Sequence, residues 1–156
     1  MNQSRMPAQK PYRSRQDYAT PRTFLDAVES RFGKLGWDLA CSKTNCVVPG
    51  SGFTEADDSL AQDWNSLIGH LWLNPPFGNI APWARKCAQF RGDGAIFLLV
   101  PASVGSNWFR DHVFGKSRVL FLNPRLSFDG KAPFPKDLML CIFGLGYDGV
   151  ALWGWR

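Results

Sequence analysis

Histidine is nearly missing from this 156-residue chain: only His70 and His112 occur. The four cysteines, Cys41, Cys46, Cys87 and Cys141, show no CxxC spacing. With so few ligands at such spacings a zinc centre is not expected, and the thiols read as core residues of a reducing compartment. No apolar run approaches the ~20 residues of a membrane-spanning helix. The polar, basic N-terminus lacks the apolar stretch of a secretory leader, so a cytoplasmic location is the expectation. Acidic residues are in deficit, 13 against 18 Lys and Arg, which leaves a formal net charge of +5 and a pI near 9.2. That balance permits a polyanionic partner without requiring one. No internal repeat and no second-domain boundary is visible.

What the chain does have is a globular composition, 45% hydrophobic and 20% charged, at a length that suits one domain with a real core. Aromatics are abundant, with seven Trp and twelve Phe. A small core accounts for some of them, and rings that stack on bases would account for others.

Residues 1–17 carry Arg5, Lys10, Arg13 and Arg15 without hydrophobic periodicity. They read as a flexible basic arm ahead of a domain over 18–156. Thr20 and Pro21 suit the N-cap and first position of a helix striped by Phe24, Leu25, Val28 and Phe32, closed by Gly33 and Gly36. Residues 37–40 read as a short strand, residues 44–54 as irregular, and residues 55–64 as an acidic segment around Asp57-Asp58. A helix is expected over 78–91. Residues 95–100 form the clearest strand, an apolar run ended by Pro101. A second amphipathic helix over 106–114 and a strand over 118–122 follow. Strands over 125–128 and 138–145 flank the loop 129–137, and 149–155 adds a terminal strand. The alternation of helices and buried strands argues for α/β, with an antiparallel edge at the end of the chain.

The chemistry concentrates in Leu71-Trp72-Leu73-Asn74-Pro75-Pro76-Phe77. The bulky apolar run is a buried strand, and the two prolines end it because neither can donate to a ladder. Asn74, preceding a proline, is pushed toward extended geometry. The product is a stiff turn at the carboxyl end of a strand, where open α/β sheets place their ligands. Taken alone it reads either as a strand-terminating turn or as a site for methyl transfer to a planar exocyclic amine. Such a nitrogen is a weak nucleophile because its lone pair is delocalised into the ring. The Asn74 oxygen and the Pro75 carbonyl would hold its N–H bonds, Pro76 would stiffen the turn, and Phe77 would stack on the ring face.

Asn74-Pro75-Pro76-Phe77 matches the (Asp/Asn/Ser)-Pro-Pro-(Tyr/Phe/Trp) signature of amino-methyltransferases that use S-adenosylmethionine. The chain also resembles the short phage and prophage DNA N6-adenine methyltransferases of the Dam type. Thr20-Pro21, Asp38-Leu39-Ala40-Cys41-Ser42, Asp57-Asp58-Ser59-Leu60 with Asp63-Trp64, and the stretch ending in Phe77 stand in that family's order. So do Leu98-Leu99-Val100-Pro101-Ala102 with Trp108-Phe109, and Arg125-Leu126-Ser127-Phe128 followed by Ala132-Pro133-Phe134-Pro135. The resemblance covers roughly residues 18–144.

The resemblance implies a single-domain Rossmann-like methyltransferase sheet, mostly parallel, with an antiparallel C-terminal strand or hairpin. It implies transfer of a methyl group from S-adenosylmethionine to N6 of an adenine flipped from duplex DNA. Carried over by position, Thr20 and Pro21 lie against the methionine part of the cofactor. Asp38 and Ala40 line its loop, Asp58 faces its adenine, and Asn74, Pro75, Pro76 and Phe77 hold the target base. The family's glycine-rich loop after the first strand is replaced by Cys41-Ser42-Lys43, and the ribose partner is either Asn45 or Glu55. No separate target-recognition domain is expected within 156 residues. DNA contacts are therefore expected from the loop 129–137, the basic arm or another subunit. The same tetrapeptide serves RNA bases and protein glutamine amides, and a catalytically inactive DNA-binding accessory protein could share the fold. The basic arm, the order of the family's motifs and the many aromatics favour DNA over protein, and the intact signature argues against a loss of catalysis.

Overall fold

The run Ile96–Pro101 (β3) is buried along its whole length, and so is Leu138–Phe143 (β5), which pairs with it antiparallel in a six-residue register. Strands without a solvated face need cover on both sides, and the alternation of their side chains divides the core in two. Ile96, Leu98 and Val100 point into one cluster, whereas Phe97 and Leu99 point into the other. The structure, a computed structural model, describes residues 19–156. The expected basic arm over residues 1–17 lies outside the described residues.

Leu35–Asp38 (β1), His70–Leu73 (β2), Arg118–Asn123 (β4) and Val150–Gly154 (β6) complete a six-stranded sheet in the order β1-β2-β3-β5-β4-β6. Only β5 runs against the rest, since the β1–β2, β2–β3 and β4–β6 pairings are parallel. The helix Arg22–Phe32 (α1) covers one face through Phe24, Leu25 and Val28. The helix Ala81–Ala88 (α2) covers the other through Ala84 and Cys87. This open α/β sheet with cover on both faces is the Rossmann-like arrangement expected from the sequence. The reversed strand is β5, and β6 lies parallel to β4 at the outer edge.

Several local expectations are corrected. Pro21, not Thr20, occupies the N-cap of α1, and its carbonyl accepts from the amides of Phe24 and Leu25. Thr20 lies one residue ahead of the cap, and its hydroxyl accepts from the Asn74 side chain. Gly33 does close α1, in the left-handed region at φ 107°, but Gly36 belongs to β1. A Cβ at Gly36 would come within 2.9 Å of the Ile68 carbonyl, so a close approach rather than a turn explains that glycine. The expected helix over 106–114 is present over residues 107–113, but its part Phe109–Val113 is π-helical, with an amide bond from Phe114 to the Phe109 carbonyl. Residues 125–128 form no strand: β5, the strand across the loop 129–137, already has both edges paired, to β3 and to β4.

His70 is a structural hinge between elements. Its Nδ1 accepts from the Ala95 amide at 3.2 Å, which leaves Nε2–H to donate to the Phe32 carbonyl at 3.1 Å. The end of α1 and the starts of β2 and β3 are thereby tied together. No helix among the described residues is long and apolar enough to cross a membrane.

Candidate active site

β1, β2 and β3 are mutually parallel, so the chain leaving β1 and the chain leaving β2 emerge at the same end of the sheet. At the β2 exit Pro75 is buried and Asn74 half-buried. The Asn74 Nδ2 donates to the Thr20 hydroxyl at 3.3 Å, a contact between residues 54 positions apart. This bond sets the orientation of the carboxamide and makes Oδ1 its acceptor end.

The loop after β1 is held by Asp38, which is 2% exposed. Its Oδ1 accepts from the Ala40 amide at 3.1 Å and its Oδ2 from the Val47 amide at 2.8 Å. Its backbone pairs with the strand-like segment around Gly52, donating to Ser51 and accepting from Phe53. Burial pushes the Asp38 carboxyl above its ordinary value, and the two amide donors only partly offset that. Asp38 is therefore a staple inside the loop.

The acidic segment 55–66 folds into three short 3₁₀ turns, Glu55–Asp57, Ser59–Ala61 and Trp64–Ser66. Asp57 Oδ2 accepts from both the amide and the hydroxyl of Thr54, which opens the first turn. Asp58 sits between the first two turns at φ 50°, a conformation that aspartate tolerates better than most residues. From α2, Lys86 donates to the carbonyls of Leu60 and Gln62 at 2.9 and 2.6 Å and lies 5.0 Å over the Trp64 ring. Trp83 stacks on Trp64 with ring centroids 6.2 Å apart. A helix packed on the sheet thus carries the acidic segment.

These elements enclose a cleft of about 930 Å³, within the usual range for small-molecule sites. Thr20, Asp38, Ala40, Asp58, Asn74 and Pro76 all line it, as do both Asn45 and Glu55. Pro75 is buried under the turn. Pro21 caps α1. Phe77 packs edge-on against Phe134, 5.9 Å away, and Phe134 in turn meets Phe128 at 5.4 Å. Phe134 comes from the loop 129–137, which the Arg125–Asp137 ion pair and the Phe134 amide bond to the Leu126 carbonyl hold in place. The loop expected to meet DNA therefore stands next to the ring expected to stack on a base.

Sequence reasoning missed Phe53 and Trp83 in the cleft wall. Trp83 lay on the helical stripe of α2 and gave no signal beyond that of a core residue. Cys41 and Cys46 are also corrected: they are half-buried beside Asp38, whereas Cys87 and Cys141 are the core thiols. Trp72 lines the cleft too, and its indole N–H has no acceptor among the described residues.

A family model described as DNA N-6-adenine-methyltransferase (Dam) matches residues 8–137. A DNA N-6-adenine-methyltransferase from Escherichia phage T1 is 27% identical over 113 residues, 72% of this chain and 47% of the phage protein. The chain thus spans about half the length of that curated relative. The solved structure of a predicted O-methyltransferase from Agrobacterium tumefaciens aligns at 21% identity over 53% of this chain and 39% of its own, with a TM-score of 0.32. That likeness is too partial to bear on function.

Proposed function

The chain belongs to the DNA N-6-adenine-methyltransferase (Dam) family, and from that premise we propose that it methylates N6 of an adenine flipped out of duplex DNA, using S-adenosylmethionine. The observation that carries the reading is the Asn74 carboxamide, oriented by Thr20 at the end of β2 in the wall of the cleft.

The cleft suits the cofactor. Phe53, Leu60 and Trp83 offer apolar and aromatic surface for an adenine ring. Glu55 and Asp58 are carboxylates suited to ribose hydroxyls, an exocyclic amine or an ammonium group, while Asn45 is the other ribose candidate. S-adenosylmethionine, when bound, supplies an electrophilic methyl group.

The protein's part is to make a poor nucleophile attack. Asn74 Oδ1 and the Pro75 carbonyl accept the two N6–H bonds, drawing the nitrogen toward a pyramidal shape and stabilising the positive charge that builds on it. Pro75 and Pro76 keep those acceptors from swinging away, so little reorganisation is needed at the moment of transfer. Phe77, steadied by Phe134, stacks on the flipped base.

Replacing Asn74 with Ala removes one charge-stabilising acceptor. It is expected to lower transfer of labelled methyl to duplex DNA by about 10²-fold or more, with an unchanged circular dichroism spectrum. Full activity in the folded variant would refute the assignment. Calorimetric titration with S-adenosylmethionine tests the cleft independently of DNA.

A further inference from the structure

The loop that walls the cleft brings Cys41 and Cys46 together beside Asp38. One ligand atom from each residue, two sulfurs and a carboxylate oxygen, lie within 4.8 Å of one another. This meeting is built by the loop rather than incidental to it. The Ser42 amide donates to Asn45 Oδ1 at 2.7 Å and turns the chain back on itself, while Asp38 ties down Ala40 and Val47 on either side of the two cysteines. Gly52 leaves room for both sulfurs: a Cβ there would fall 2.3 Å from the Cys46 Sγ and 2.7 Å from the Cys41 Sγ.

Tetrahedral zinc, with Zn–S near 2.3 Å and Zn–O near 2.0–2.2 Å, spaces its ligand atoms by about 3.5–3.8 Å. The three atoms therefore need to close by only about an ångström to share one ion. We propose that Asp38, Cys41 and Cys46 form a binding site for a thiophilic divalent cation, Zn²⁺ by preference, that clamps the loop between β1 and Gly52.

Binding of the ion releases the two thiol protons and leaves two thiolates and one carboxylate as ligands, with the fourth position open to water. Burial, the Cys46 thiol and the Asp38 and Asp57 carboxylates push the Cys41 thiol far above its ordinary value. A bound cation would favour the thiolate form by placing positive charge beside it. Soft sulfur ligands select zinc over magnesium or calcium.

The test uses the full chain, reduced and freed of metal, titrated with Co²⁺. A thiolate-to-cobalt charge-transfer absorption that saturates at one equivalent and is displaced by Zn²⁺ is expected. Cys41→Ser and Cys46→Ser should each abolish that band. A readout that needs no variant accompanies it: Zn²⁺ should slow alkylation of Cys41 and Cys46 at least about tenfold, mapped by peptide mass spectrometry. Absence of the band in the reduced chain overturns the proposal, whether or not oxidation joins the two thiols. So does a band that survives in the Cys41→Ser, Cys46→Ser double variant, or alkylation of both thiols that Zn²⁺ leaves unslowed.

Discussion

The two sides of β3 differ in strand length, in order and in chemistry. On one side β1 and β2 are four residues long, and β1 pairs through a register shift. On the other, β3, β5 and β4 are six residues long, with every residue of β3 and β5 buried. No candidate site residue lies within β3, β5 or β4. All of them sit where the chain enters α1, in the segments leaving the two short strands, or at the end of β1. The long ladder supplies stiffness, and the short strands deliver irregular loops to the cleft. Beside the short backbone bridge at Gly52, those loops take their order from side chains: Asp38 on two amides, Asp57 on Thr54, and Lys86 on two carbonyls. Stability and function are consequently separable by mutation.

The largest effect on stability should come from the ladder. Leu140 is fully buried at the centre of β5, and Leu140→Ala should cost about 2–5 kcal/mol by urea denaturation. Affinity of the folded fraction for S-adenosylmethionine should barely change. A midpoint equal to that of the parent chain would mean the long strands are not the scaffold. Gly52→Ala, on the other side, pushes a methyl group against both sulfurs and the Asp38 carbonyl. It should cost about 1–3 kcal/mol and, unlike Leu140→Ala, weaken calorimetric cofactor binding.

Lys86→Met is expected to be milder. It retains the apolar stem but loses two carbonyl bonds and the charge over Trp64, for about 1–2 kcal/mol. The loss should appear as faster amide hydrogen exchange in residues 55–66, with β3 and β5 unaffected. Equal exchange in both regions would show that the helix does not carry the acidic segment.

The smallest effect concerns two carboxyl groups shifted in opposite directions. Burial pushes the Glu29 carboxyl up, yet hydrogen bonds from Arg22 and the Leu35 amide, with the Lys34 charge nearby, hold it below its ordinary value. The native chain therefore binds that proton less readily than the unfolded chain. Its stabilisation is complete above the unfolded glutamate range and disappears as pH falls through the native value. Because Arg22 is 56% exposed, the amount should stay below about 1 kcal/mol. Asp38, raised by burial, acts in reverse: its contribution is fullest below the unfolded aspartate range and declines as pH rises through the native value. Denaturation of Glu29→Gln at pH 7 and pH 3 should show a smaller loss on acidification than the parent chain. An unchanged pH slope would remove Glu29 from the account.

Much of this was legible in the residues. The unbroken apolar run 95–100, short for a helix and ended by Pro101, reads as a strand covered on both faces. The Asn-Pro-Pro-Phe turn followed from backbone chemistry, since proline removes a donor and restricts its neighbour. The expected strand over 125–128 failed for a reason no local pattern contains: β5, across the loop 129–137, is already paired on both edges. Leu126 and Phe128 pack into the core from a loop instead.

By itself, then, the sequence determined the class of fold, the position of the stiff turn and most of the residues that meet in the cleft. Only the tertiary structure decided how they meet. Thr20 gives its hydroxyl to Asn74 instead of to a helix end, Phe134 joins Phe77, and Cys41 and Cys46 close on Asp38. The physical reason is range. Backbone restriction and hydrophobic periodicity act over a few residues and are written in local order. A hydrogen bond between residues 20 and 74 exists only after the sheet and α1 have set the distance between them.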